Sequence, residues 1–212
     1  MFRKSWRSEP DLVLTFSDLQ ADIAAELIRA GIAVHAFNQR SVAGIFDMIR
    51  TLGALVGAAE RAGALVDRLA ADLDRARRRG ARLRERPKVY FEEWDEPMIS
   101  AILWVSELID IAGGTDIFAE LAAGKSARGR SVSAEQIRQR APDIIIGSWC
   151  GKKFNAARVA ARPGFDAVPA IRHHRLYEIK SSLILQPGPA ALTDGLHALE
   201  RLIQSDSVAD LH

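Results

Sequence analysis

The chain contains a single cysteine, Cys150, so no internal disulfide can form, and cysteine usage fits a reducing or an oxidising compartment equally. It has no uninterrupted apolar run of the roughly 18 residues that a membrane-spanning helix needs, because Asp47, Arg50, Glu60 and Arg61 break the longest candidate. It lacks an excess of either charge: 29 basic and 27 acidic side chains leave a formal +2, too balanced for an obligate nucleic-acid binder. Neither a G-x-S-x-G elbow, a Walker loop nor a G-x-G-x-x-G turn is present to supply a nucleophile or a phosphate cradle. His173 and His174 stand in a polar loop without H-x-x-x-H or C-x-x-C spacing, so no metal site is expected. The start, MFRKSWRSEPD, is basic like the n-region of an export signal, but Ser8, Glu9 and Pro10 follow with no apolar h-region, and no signal peptide is read there.

What the 212 residues do hold is enough apolar material, 48%, to build a real core. DLVLTF (Asp11 to Phe16) has the apolar and β-branched character of a buried strand, and Leu19, Ile23, Ala24, Leu27 and Ile28 then keep helical spacing up to Gly31. IAVHAF (Ile32 to Phe37) predicts a second strand, and Ser41 caps a helix through Ile45, Met48, Ile49 and Leu52. From about Ala58 to Arg84 the apolar positions predict one long helix, on the order of 40 Å at 1.5 Å per residue. It ends in the arginine run RARRRGARLRER, which is read as a solvated face at a helix C-terminus.

After Pro87 the alternation resumes. KVYFE predicts a strand, and Pro97 the start of a helix through Ile102, Val105, Leu108 and Ile109. Ser133 with Gln136 reads as a capping box, PDIIIG and RLYEI as further strands, and Pro189 as the opening of a last helix to Ile203. Pro10-Asp11 and Pro142-Asp143 each precede a strand, as if one phrase were used twice. The fold class is therefore α/β: two Rossmann-like lobes, residues 1–57 and 87–212, joined by a single long helix over 58–86.

In parallel α/β sheets a ligand lies beyond the carboxyl ends of the strands, so the residues just past each strand matter most. These are Phe16, Ser17 and Asp18, then Asn38, Gln39 and Arg40, then Glu92, Glu93, Trp94 and Asp95, and last Ser148, Trp149, Cys150, Gly151, Lys152 and Lys153. A cleft walled by Phe16, Trp94 and Trp149, with Arg40, Glu92 and Lys153 as polar groups, suits a large, flat, partly apolar ligand. The carboxylates of YFEEWDEP are neighbours on one segment and tend to point apart, which speaks against a glycosidase pair. A small enzyme using Glu92 or Asp95 as general base is the alternative.

With PDLVLTFSDLQADIAAELIRAGIAVHAFNQRS, YFEEWDEPMISAILWVSELIDIAGG, APDIIIGSWCGKKF and EIKSSLILQPGPAALTDGL, the chain resembles the ABC-importer substrate-binding proteins with a helical backbone, the class III type. These carry vitamin B12, iron-siderophores and haem, and the likeness is greatest to the cobalamin-binding branch. The resemblance implies a periplasmic carrier with no catalytic residue and no resident cofactor. Its ligand would be cobalamin or a related corrinoid held between the lobes, or alternatively an iron-siderophore or haem, and its partner an ABC permease. It implies ligand contacts at Phe16, Ser17, Asn38, Arg40, Glu92, Trp94, Trp149 and Lys153, and docking acids at Asp22 and Glu135 that meet arginines of the permease. The family's signal peptide and first β-α unit have no counterpart ahead of PDLVLTF, so a shortened first lobe is expected, with dimerisation through the apolar surface thus left open.

Overall fold

The computed structural model describes residues 10–124 and 126–205. Met1 to Glu9, where the basic start and the missing signal were read, and the last residues of the second lobe lie outside them. The chain divides into two compact units, up to Gln39 and from Arg40 onward.

In the first unit, β1 (Leu12–Phe16) runs parallel to β2 (Ala33–Phe37), Leu12 facing Ala33 and Phe16 facing Phe37. A 3-10 turn (Asp18–Gln20) leads into α1 (Ala21–Arg29), which ends before Gly31, whose φ of 81° suits a residue without Cβ. Leu27 is its one buried side chain, while Leu19 and Ile28 stay exposed.

The second unit opens with α2 (Val42–Leu55), where Ser41 Oγ accepts the Gly44 N–H at 3.0 Å as an N-cap. α3 (Ala59–Gly80) follows and, at 22 residues, is about 33 Å long. It ends at Gly80 rather than running to Arg84, and there the Gly80 Cα meets the Gly113 backbone so closely that an added Cβ would lie 2.7 Å from Gly113 N. Beyond it come β3 (Lys88–Asp95), β4 (Met98–Ser100), α4 (Leu103–Ala112), β5 (Thr115–Asp116), α5 (Ala119–Ala122), α6 (Ala134–Arg140), β6 (Ile144–Gly147), α7 (Ala156–Ala160), α8 (Pro169–Arg172), β7 (Leu176–Glu178) and α9 (Ser181–Ile184). A π-turn (Ala191–Gly195) then feeds α10 (Leu196–Gln204).

The sheet order is β4-β3-β6-β7, with β5 also pairing β3; β6 lies parallel to both β3 and β7, and β4 returns antiparallel. Val89, Phe91, Ile144 and Ile146 point to one face, which α2, α3, α4 and α10 cover. Tyr90 and Ile145 point to the other, packed under Phe118, Ile137, Trp149, Phe154 and Phe165. Both faces are buried, as parallel strands require. α2, read from the sequence with the first lobe, packs on α3 and α4.

One expectation is corrected. Pro97 does not open a helix: the chain turns back at Glu96-Pro97, where the peptide bond is cis, and Met98–Ser100 pairs with β3. Trp94 faces Ile99 and Asp95 faces Met98, with a register shift between Glu92 and Trp94. The helix begins only at Leu103.

Candidate functional site

β3 and β6 are parallel neighbours with Glu92 facing Gly147, so the segments just past both strands lie side by side. Gly147 lets them close up: a Cβ there would fall 1.8 Å from the Phe154 ring. Phe154 in turn meets the Trp149 ring edge-on at 5.0 Å.

Glu92 sits at the centre and is fully buried. A carboxylate cannot stay charged there without full compensation, and it has four donors. Arg162 grips both oxygens, Nη1 to Oε2 at 2.6 Å and Nη2 to Oε1 at 2.9 Å. The Tyr90 hydroxyl donates to Oε2 at 3.0 Å, and the Trp149 indole N–H to Oε1 at 3.0 Å. Burial first, and then the charge of Glu92, push the Tyr90 phenol well above its usual range and keep it a donor. Glu93, next along the strand, is held by Arg130 at 2.6 and 3.2 Å, and Arg130 is itself buried.

A second network closes the outer edge. Lys152 Nζ donates to Asp95 Oδ1, and Arg158 stands 3.2 Å from Asp95 Oδ2 and 3.0 Å from Glu96. Burial alone would raise the Asp95 carboxyl. The hydrogen bond and charge of Lys152, with Arg158 behind them, outweigh it and hold the group below its ordinary value. The same ammonium lies 4.3 Å from the centre of the Trp94 ring and 5.0 Å from that of Trp149, bridging two aromatic faces.

The sequence-derived residues thus divide by role. Glu92 and Trp149 are buried framework, the one wholly bonded and the other 4% exposed. Trp94 is half-buried, and Lys153 is exposed on the same loop as Lys152. Arg40 is half-buried, and its carbonyl accepts the Trp104 N–H at 3.0 Å. In the first unit, Phe16 and Asn38 are exposed at the ends of β1 and β2. Ser17 carries a φ of 66°, a strained setting for a non-glycine residue, where its N–H donates to Phe37 O at 2.8 Å and its hydroxyl accepts from Leu19 N. Asp22 is exposed in the first turn of α1. Glu135 is exposed in the first turn of α6 beside its capping box, and Arg138, with Gln139 at 2.8 Å, holds it below the usual carboxylate range. Arg162, Tyr90 and Arg158 were not singled out from the sequence. The signal for Arg162 was indirect: a glutamate inside a buried strand demands a cation from somewhere.

Chemically this is a rigid aromatic wall whose carboxylates are already occupied. Glu92 has both oxygens engaged by donors and Asp95 is held below its ordinary pKa by Lys152 and Arg158, so neither carboxylate is free to take a substrate's proton, which removes the physical basis for the general-base alternative.

Residues 7–183 match the periplasmic binding protein family model, and the chain belongs to that family. It is 27% identical over 208 residues to the ABC transporter substrate-binding lipoprotein YvrC of Bacillus subtilis, covering 94% of this chain and 63% of that protein. It is 26% identical over 189 residues to a cobalamin-binding protein of Halobacterium salinarum, covering 85% of this chain and 50% of that one. The chain thus spans only about half to two thirds of the length of these relatives. Among solved structures, it resembles a protein of Staphylococcus epidermidis described as a possible iron-binding (periplasmic solute-binding) protein, with a TM-score of 0.79 at 22% identity, over 95% of this chain and 79% of that one. The fold is that of the class III periplasmic binding proteins.

Proposed function

We propose that the protein is the substrate-binding component of an ABC importer and that its ligand is cobalamin or a related corrinoid, delivered in the periplasm to a membrane permease. The observation that carries this reading is the family match together with a relative named for cobalamin binding that aligns over 85% of the chain. The strand ends support it: a flat macrocycle needs aromatic faces on a firm base, and the Glu92–Arg162 core, bonded to Trp149, supplies that base. On this reading Phe16, Ser17, Asn38, Arg40, Trp94 and Lys153 contact the ligand, while Glu92 and Trp149 hold the wall in place. Asp22 and Glu135, one in each unit, are the acids that dock on the permease.

Equilibrium dialysis against cyanocobalamin, haem and a ferric siderophore in parallel tests the ligand. Retention of cyanocobalamin above the other two is expected. Preferential retention of haem or the siderophore would move the protein to the iron-chelate side of the same class, and turnover of any of them would contradict a carrier.

A further inference from the structure

α3 buries Ala62, Val66, Leu69, Leu73, Ala76 and Gly80 along one stripe. At 100° per residue a band about 100° wide on the side away from that stripe carries Arg61, Arg68, Arg75, Arg78, Arg79 and, just past the helix, Arg82, together with Glu60 and, at its edge, Asp67. Arg82 follows two residues past the helix end, its N–H donating to Arg79 O at 3.0 Å. Arg61, Arg68, Arg75 and Arg82 recur every seventh residue, so the ridge runs along the helix with a drift of about 20° per seven residues and spans about 31 Å at 1.5 Å per residue.

All six side chains are exposed. Arg75 is paired with Asp72, and Arg79 with Glu200 at 2.9 Å through two contacts. Among the described residues, the guanidinium groups of Arg61, Arg68, Arg78 and Arg82 have no hydrogen-bond or ion-pair partner. The helix dipole accounts for basic residues in the last turn, but its effect fades within that turn, and Arg61 and Arg68 lie at the far end and the middle. Four unpaired guanidinium groups on one side of the helix outnumber Glu60 and Asp67 there and make a local positive strip on a chain whose total formal charge is only +2.

We propose that this ridge is a contact surface for anionic phospholipid headgroups, along which α3 lies flat on a membrane. Guanidinium groups pair with phosphate oxygens through parallel N–H donors, and each basic residue brought near an anionic bilayer adds attraction that fades within a Debye length. A ridge that stays on one side of the helix can meet a flat surface along its length. Nucleic acid fits it less well: the ridge has Ala64 and Ala71 between its arginines and no aromatic ring on which a base could stack. The choice of a membrane rests on the importer reading, since such a protein works beside one. The ridge assay needs no transported ligand, so its failure and that of the importer reading are told apart.

The test is co-sedimentation of the full chain with vesicles of phosphatidylcholine alone or with 30% phosphatidylglycerol, at low and high NaCl. The wild type is expected to bind only the anionic vesicles, at least tenfold more weakly at high salt. The variant Arg61→Gln, Arg68→Gln, Arg78→Gln, Arg82→Gln should bind them at least tenfold more weakly at low salt, with an unchanged circular dichroism spectrum and melting temperature. Equal binding to neutral vesicles, or undiminished binding by the variant, overturns the proposal. So does release from anionic vesicles by a single-stranded oligonucleotide at matched phosphate concentration, which would assign the ridge to nucleic acid.

Discussion

Arg162 and Glu92 form a two-pronged ion pair, 2.6 and 2.9 Å, around a carboxylate that no solvent reaches. Seventy residues separate them in sequence, and the pair ties the end of β3 to the segment after α7. Removing one partner leaves the other as a buried, uncompensated charge, a loss of about 3–5 kcal/mol. Arg162→Met should therefore lower the free energy of urea unfolding by that amount, and the double variant Glu92→Met, Arg162→Met should recover much of it. A loss under about 1 kcal/mol for Arg162→Met would mean that the pair is not desolvated as the structure has it.

Asp95 makes stability depend on pH in a definite direction. Its carboxyl is held below its ordinary value by Lys152 and Arg158 against the opposing effect of burial. The folded state therefore binds its proton less readily than the unfolded chain does, so the contribution is present above the unfolded value of 3.8 and is lost as pH falls through the lowered folded value. The stability gap between wild type and Asp95→Asn should be full at neutral pH and close progressively below about pH 4. A gap that widens on acidification would reverse the assignment.

Two glycines of α3 make a matched pair. Gly63 has open space where a Cβ would go, so Gly63→Ala should stabilise by about 0.5–1 kcal/mol through helix propensity. Gly80 has the Gly113 nitrogen and the Ile111 carbonyl oxygen each 2.7 Å from the same point, and backbone cannot swing aside. Gly80→Ala should destabilise by about 1–3 kcal/mol despite the same propensity gain. Thermal melts of the two variants, shifted in opposite directions, check both.

The alternation of strands and helices was legible because its signals are local. Ser41 caps α2, and Ser133 with Gln136 forms the capping box of α6, as their spacing implies. The apolar runs around Val13, Val34, Val89 and Ile145 are strands, though only the last two are buried, β1 leaving Leu14 and Phe16 exposed. What was not legible depends on long-range contact. Pro97 after an acidic pair reads as a helix start, yet it closes a hairpin because Met98–Ser100 finds the free edge of β3. The close approach of Gly80, at the end of α3, to the backbone of Gly113 33 residues away leaves no local signal. The strand-end residues were identified by position, but nothing in YFEEWDEP reveals that Glu92 is consumed by Arg162 or that Lys152 lies across Trp94 and Trp149.

The docking assignment makes a separable prediction. Asp22 and Glu135 are exposed, so replacing both by alanine should change stability by no more than about 0.5 kcal/mol. Ligand affinity should be unaffected, while stimulation of ATP hydrolysis by the reconstituted permease should fall at least tenfold. Unchanged stimulation would leave the two acids as ordinary first-turn residues favoured by the helix dipole.

The most direct test of the carrier reading is a titration of the purified chain with cyanocobalamin, followed by tryptophan fluorescence and calorimetry. One-to-one saturable binding is predicted, weakened at least tenfold in Trp94→Ala, whose side chain is half-buried at the strand ends. No saturable binding of cyanocobalamin, or binding that Trp94→Ala leaves untouched, would contradict it.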